Sequence, residues 1–271
     1  MCLIAAAPAS ALKVKYEAEN DVVLPDSVGF VDVACPSGYK ITGGGASSNG
    51  DYNTTKLQGS YPVDGDDQNG KADDTWRAVV WNTAASSPKI ESLAICAKAK
   101  PVYRSRIFAL GVSTPPPAKC PKGTIPTGGG IETGGTFAIP VDIQTSRPSG
   151  GTGDEPEAWF ANASPPGNAT PFGETYVICA ERGEFEMKYR SKSFEAGNQE
   201  QGTGASTCRA GEQALGLGAD TNASGSALTT LIGKDSKKDN DSKLDDGASV
   251  TVDNYKPSLK ISPEAHAICA K

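Results

Sequence analysis

The sequence predicts an all-β fold with pseudo-threefold symmetry, and three observations lead there. First, one cysteine–glycine frame occurs three times. Cys35-Pro36-Ser37-Gly38 precedes Gly43-Gly44-Gly45, Cys120-Pro121-Lys122-Gly123 precedes Gly128-Gly129-Gly130, and Cys208-Arg209-Ala210-Gly211 precedes Gly216-Leu217-Gly218. Second, each copy closes on one phrase: Ile95-Cys96-Ala97, Ile178-Cys179-Ala180 and Ile268-Cys269-Ala270. Self-similarity at a fixed interval is the mark of a repeat architecture. Third, the intervening residues show period-two alternation and no helical period of useful length. Composition agrees, since 31 Gly, 19 Pro and 21% charged residues describe a turn-rich β protein. Only 37% of the 271 residues are hydrophobic. So thin a core benefits from covalent staples.

Along the chain, residues 2–11 carry an apolar run ending in Ala9-Ser10-Ala11, the pattern of a secretory signal with an A-x-A cleavage site. The repeats then span residues 12–98, 99–182 and 183–271. Each opens with a short strand holding one aromatic anchor: Tyr16, Tyr103 or Tyr189. In Cys-Pro-x-Gly, Pro and Gly stand at the second and fourth places of a type I turn. The glycine triplets imply a bulged strand, or one that another backbone approaches closely. A phosphate cradle would need a following Lys-Ser/Thr and a helix, and neither follows. Second strands cover Leu57–Pro62 and Ile143–Pro148, with Leu231–Lys234 as the third copy. A polar, acidic loop follows each. Third strands alternate, with Trp76, Ala78, Val80 and Asn82 on one face, matched by Ala158, Phe160 and Asn162, then by Val250, Val252 and Asn254. The recurrent Asn reads as a local turn cap. Four or five strands per copy predict twelve to fifteen in all, arranged as three antiparallel sheets in one β-prism-like body. Three separate disulfide-stapled sandwiches are the rival arrangement.

Cys35, Cys96, Cys120, Cys179, Cys208 and Cys269 fall two to a repeat. Six cysteines allow fifteen pairings, and the repeat favours Cys35–Cys96, Cys120–Cys179 and Cys208–Cys269. A zinc site is a poor reading, with no C-x-x-C and a single His. Disulfides belong to an oxidising compartment, so the expected location is extracellular. The net charge of −6 and the lack of a Lys/Arg stripe argue against nucleic acid. No apolar run approaches the ~18 residues of a membrane helix.

The Cys-Pro-x-Gly turn, the following glycines and the closing apolar-x-Cys phrase resemble the repeats of the vitelline membrane outer layer protein I family, a threefold β-prism. They also resemble repeat proteins secreted by actinobacteria. The repeats here are longer, and they lack the family's acidic pair before the closing strand. The resemblance implies prism architecture.

His266 aligns with Leu93 and Tyr176, a position that reads as packing rather than catalysis. Without a second His, a His-dependent triad is a poor reading, and no catalytic residue is assigned. The acidic loops hold the remaining candidates. Asp64, Asp66 and Asp73 are expected to ligate a weak Ca²⁺ site, because hard cations seek clustered oxygens; no cofactor is required. Trp81 lies on the face opposite Trp76 and is the candidate platform for an extracellular carbohydrate. Triplicated loops on a rigid scaffold suit recognition, so the expected function is a secreted, non-catalytic, lectin-like protein. The alternative is a structural or surface-coat protein.

Overall fold

The computed structural model describes residues 12–51, 53–65, 74–112, 114–134, 140–151, 155–165, 172–233 and 246–271. Residues 1–11, with the predicted signal, lie outside that set. The described residues hold eighteen strands and no helix. Repeat one contains β1(Val14–Val22), β2(Ser27–Ala34), β3(Lys40–Ser48), β4(Thr55–Val63), β5(Thr75–Asn82) and β6(Lys89–Ala97). Repeat two contains β7(Val102–Ala109), β8(Ala118–Lys119), β9(Thr124–Glu132), β10(Asp142–Ser149), β11(Ala158–Ser164) and β12(Phe172–Glu181). Repeat three contains β13(Met187–Ser193), β14(Gln201–Thr207), β15(Gln213–Asp220), β16(Ser226–Gly233), β17(Gly247–Asn254) and β18(Glu264–Ala270). Six strands per repeat exceed the four or five expected, and the additional ones are β2, β8 and β14, of eight, two and seven residues, immediately before each opening cysteine.

These strands form three six-stranded antiparallel sheets, each shared by two repeats. Sheet 1 runs β1-β6-β3-β16-β17-β14, sheet 2 runs β2-β5-β4-β9-β12-β7, and sheet 3 runs β13-β18-β15-β10-β11-β8. Within a repeat the two half-sheets pack face to face, as β3 and β6 do against β5. Each repeat is thus a small sandwich, and each half of it continues into a neighbour's sheet. Sharing of all three sheets makes one body and excludes three independent modules.

The cysteines bond as Cys35–Cys96, Cys120–Cys179 and Cys208–Cys269. Each bond joins the residue after β2, β8 or β14 to a strand of the facing half-sheet, so it ties two sheets together. The turn that follows starts one residue later than expected. Tyr39 N–H donates to Pro36 O, Thr124 to Pro121 and Glu212 to Arg209, at 3.0, 3.1 and 2.9 Å. Gly38, Gly123 and Gly211 therefore stand third, with φ of 77°, 88° and 79°. A type II turn requires that backbone. The first residue supplies only a carbonyl, so Arg209 replaces proline without changing the turn.

The glycine triplets mark the pseudo-threefold axis. An added Cβ at Gly43 would lie 2.5 Å from Leu215 O, at Gly128 2.3 Å from Thr42 O, and at Gly216 2.0 Å from Thr127 O. Each of β3, β9 and β15 thus presses its backbone on the next, and a bulge sits beside each contact. The aromatic anchors reinforce that ring. Tyr16, Tyr103 and Tyr189 donate to Ala214 O, Ile41 O and Pro126 O, each at 2.7 Å in a neighbouring repeat.

Register corrects two sequence assignments. Trp159 pairs with Pro148 as Trp76 pairs with Pro62, so Trp159, Ala161 and Ala163 form the buried face of β11. Phe160 and Asn162 point the other way. Two buried-capable residues, Ala158 and Trp159, stand side by side, and alternation alone cannot choose between them. The third second strand begins at Leu228 rather than Leu231, since Leu228 precedes the same bulge as Leu57 and Ile143. Asn82 and Asn254 do cap their loops, each donating from Nδ2 to carbonyls, including Ser86 O at 2.8 Å and Leu259 O at 2.7 Å.

Candidate functional site

Neighbouring repeats meet in each sheet at only two register positions: Thr230–Ser47 and Leu231–Ala46, Gly59–Glu132 and Ser60–Ile131, Thr145–Asp220 and Ser146–Ala219. The sheet creases there. Gly45, Gly130 and Gly218 face the neighbouring backbone, at 2.2 Å from Leu231 O, 2.1 Å from Ser60 O and 3.0 Å from Ser146 O for an added Cβ. The frame is the same three times, and its lining differs.

In sheet 2 the crease is filled. Tyr61 and Tyr176 stack with centroids 5.4 Å apart and planes inclined by 16°. The Tyr176 hydroxyl donates to Glu132 Oε2 at 2.9 Å and Glu174 Oε2 at 3.1 Å. Burial and then the Glu132 charge push the Tyr61 phenol up to about 12, and the same causes raise Tyr176 further, so both remain donors. In sheet 1 the equivalent positions carry Ile232 and the fully buried Leu93, beside a Ser47–Glu91 contact of 3.5 Å.

In sheet 3 those two positions carry Arg147 and His266, and the crease opens into a cavity of about 280 Å³. Arg147, Ser149, Tyr189, Arg190, Ser191 and His266 line it together with prolines. That volume sits at the low end for small-molecule sites, about 300–1,000 Å³. Arg147 Nε donates to Asp220 Oδ2 at 2.6 Å, and Asp220 also accepts from Thr145 Oγ1 at 3.0 Å. Arg190 Nη2 donates to both Glu212 oxygens at 2.8 Å. Burial works to raise the Glu212 carboxyl. Hydrogen bonds from the Arg209 N–H and from Arg190 outweigh it and hold the group below its usual range. Both guanidinium forks are locked from behind.

His266 is held neutral. Burial, then the Arg147 charge, lowers its pKa to about 4 against the pull of Asp220. Its Nε2 lies 3.4 Å from Glu264 Oε2, a distance that suits an ion pair only if the ring is charged. Burial decides the matter, and the contact is that of a neutral ring. His266 Nε2 and Ser149 Oγ are both buried without a hydrogen-bond partner. Both residues line the cavity, but these two atoms themselves expose almost no surface to it.

The sequence candidates lie elsewhere. Trp81 is half-buried on sheet 2, between Val28 and Lys56 in register. Asp64 is exposed, while Asp66 and Asp73 lie outside the described residues. Among the described residues no group of three or more His, Cys, Asp or Glu could hold a metal. The acidic loops emerge beside the disulfides, for Cys35, Cys120 and Cys208 N–H donate to Asp74, Glu157 and Asp246 carbonyls at 2.7, 2.9 and 2.8 Å. Pseudosymmetry therefore puts the described ends of the three loops, at Asp74, Glu157 and Asp246, at equivalent places. Sequence reading treated His266 as packing and passed over Arg147, Ser149, Arg190 and Ser191. The signal was available: a position occupied by Tyr61 and Ile232 in two repeats is arginine in the other.

No protein-family model matches the chain, and no curated protein aligns with it. The likeness to the vitelline membrane outer layer family rests on the cysteine–glycine frame alone.

Proposed function

We propose that this is a secreted, non-catalytic binding protein that recognises carbohydrate in the sheet 3 crease. One observation carries the reading: a polar cavity on a rigid frame, lined by Arg147, Arg190, Ser149, Ser191 and His266. A saccharide offers hydroxyls to such a lining, and pockets with a few convergent polar groups are the usual places for small ligands. The frame is braced by three disulfides, a form of stabilisation suited to an oxidising compartment outside the cytosol. Ser149 and His266 make no hydrogen bond to each other, and among the described residues no carboxylate lines the cavity. That arrangement supplies neither an activated nucleophile nor an acid–base pair. The test is a broad glycan array probed with the disulfide-bonded protein and with Ser191→Ala. Binding that weakens in the variant supports the reading. A folded protein that binds nothing overturns it in favour of a structural extracellular protein, which the filled creases of sheets 1 and 2 favour.

A further inference from the structure

Resting on that reading, we propose that the sheet 3 crease selects a sugar bearing a carboxylate, a uronic acid unit at the end of an acidic glycan. Among the described residues the cavity is lined by two arginines and by no acidic side chain, with Glu264 beside it at 3.4 Å from His266 Nε2, in a protein whose net charge is −6. Asp220 and Glu212 stand behind the arginines rather than in the cavity, and each fixes a fork. Glu155, at the rim, is engaged by Arg182. Arg147 uses Nε and Nη1, the latter on Pro148 O at 3.2 Å, while Arg190 uses Nε and Nη2. Arg147 Nη2 and Arg190 Nη1 therefore have no hydrogen-bond partner among the described residues, and the Arg147 guanidinium also lies over the Phe160 ring at 5.8 Å. Charge-assisted bonds from pre-oriented guanidinium groups are the strong way to hold a carboxylate.

The rest of the lining suits the sugar that carries the charge. Pro148, Pro156 and Tyr189 offer apolar surface to a ring face, and the exposed Ser191 offers a hydroxyl to the sugar. A densely sulfated chain would require a wide basic surface. The acidic balance opposes one, so the geometry fits one carboxylate at one place.

Calorimetric titration with a disaccharide ending in glucuronic acid, and with its glucose-terminated counterpart, tests the proposal. The glucuronate compound is expected to bind at least tenfold tighter. The double variant Arg190→Gln/Glu212→Gln removes both charges while keeping a hydrogen-bonding pair, and it should abolish the preference. Ser191→Ala should weaken both compounds several-fold, and thermal melting verifies that each variant is folded. Equal binding of the two compounds, still weakened by Ser191→Ala, would overturn the carboxylate assignment and leave carbohydrate recognition standing. Glucuronate binding unchanged in the double variant would overturn the assignment as well, by placing the ligand elsewhere. Binding of neither compound overturns the assignment, and only the broad array then decides the wider reading.

Discussion

Repeats one and three have the same backbone and opposite cores. In repeat one Trp76 is 1% exposed, its ring lies against Gly44, and its Nε1 donates to Ser60 Oγ at 3.0 Å. Repeat two copies this arrangement with Trp159, Gly129 and Ser146 at 2.9 Å. In repeat three register puts Ala248, Leu217 and Leu231 at those positions. The large ring has gone, and two leucines replace a glycine and a serine. A serine left there without the indole would lose its donor, and a glycine would leave a void. Interiors pack to near-crystalline density, so such positions change together.

The comparison can be broken most directly at Trp76. Trp76→Ala should destabilise by about 4 kcal/mol, from the lost ring and its cavity. Adding Gly44→Leu and Ser60→Leu imports the repeat-three core and should restore part of that loss in urea unfolding, offset by the Leu93 carbonyl 2.5 Å from the new Cβ at position 44. A triple variant no more stable than the single one would mean that the cores are not interchangeable.

The axis should show no such latitude. Gly43→Ala brings a methyl group against the Leu215 carbonyl and the Gly216 Cα, both backbone. Overpacking of this kind costs about 1–3 kcal/mol. Gly128→Ala and Gly216→Ala should cost the same within error, since all three contacts are equivalent. A neutral substitution at any of them, read by thermal melting, would show that the ring of backbones has slack.

His266 separates repeat three from the others by pH. Its folded pKa of about 4 lies below the ordinary 6.5. The unfolded chain therefore binds the extra proton first as pH falls. The contribution is complete above about 6.5 and is lost progressively toward 4, with an upper size of about 3 kcal/mol. His266→Leu, the residue of repeat one at that place, should flatten the slope in this window. Asp253 works the opposite way, because burial lifts its carboxyl to about 6 and stability falls as it ionises. The measurement is therefore the difference between wild type and variant across pH 4–6.5. Parallel profiles would contradict the buried, neutral imidazole.

The smallest expected effect tests what the repeats share. Tyr103→Phe removes the hydroxyl that donates to Ile41 O and should cost about 1 kcal/mol, as should Tyr16→Phe and Tyr189→Phe. Unequal losses would show that one inter-repeat contact is weaker than its mates.

The sequence alone determined the threefold repeat, the all-β class, the cysteine pairing and the glycine strands. Each depends on residues whose backbone or covalent demands are local: Cys with Cys, Gly where φ is positive, alternation where one face is buried. The same local logic misplaced the turn by one residue and reversed the face of β11, because two neighbouring residues could each satisfy the pattern. Tertiary structure alone decided that every sheet is shared by two repeats, since no local preference says which strand pairs across a repeat boundary. It alone brought Arg147, Arg190, Ser149 and His266 together from β10, β13 and β18 of two repeats. Those four show no common pattern along the chain. They meet only because the crease, identical in backbone three times over, leaves its lining free to vary.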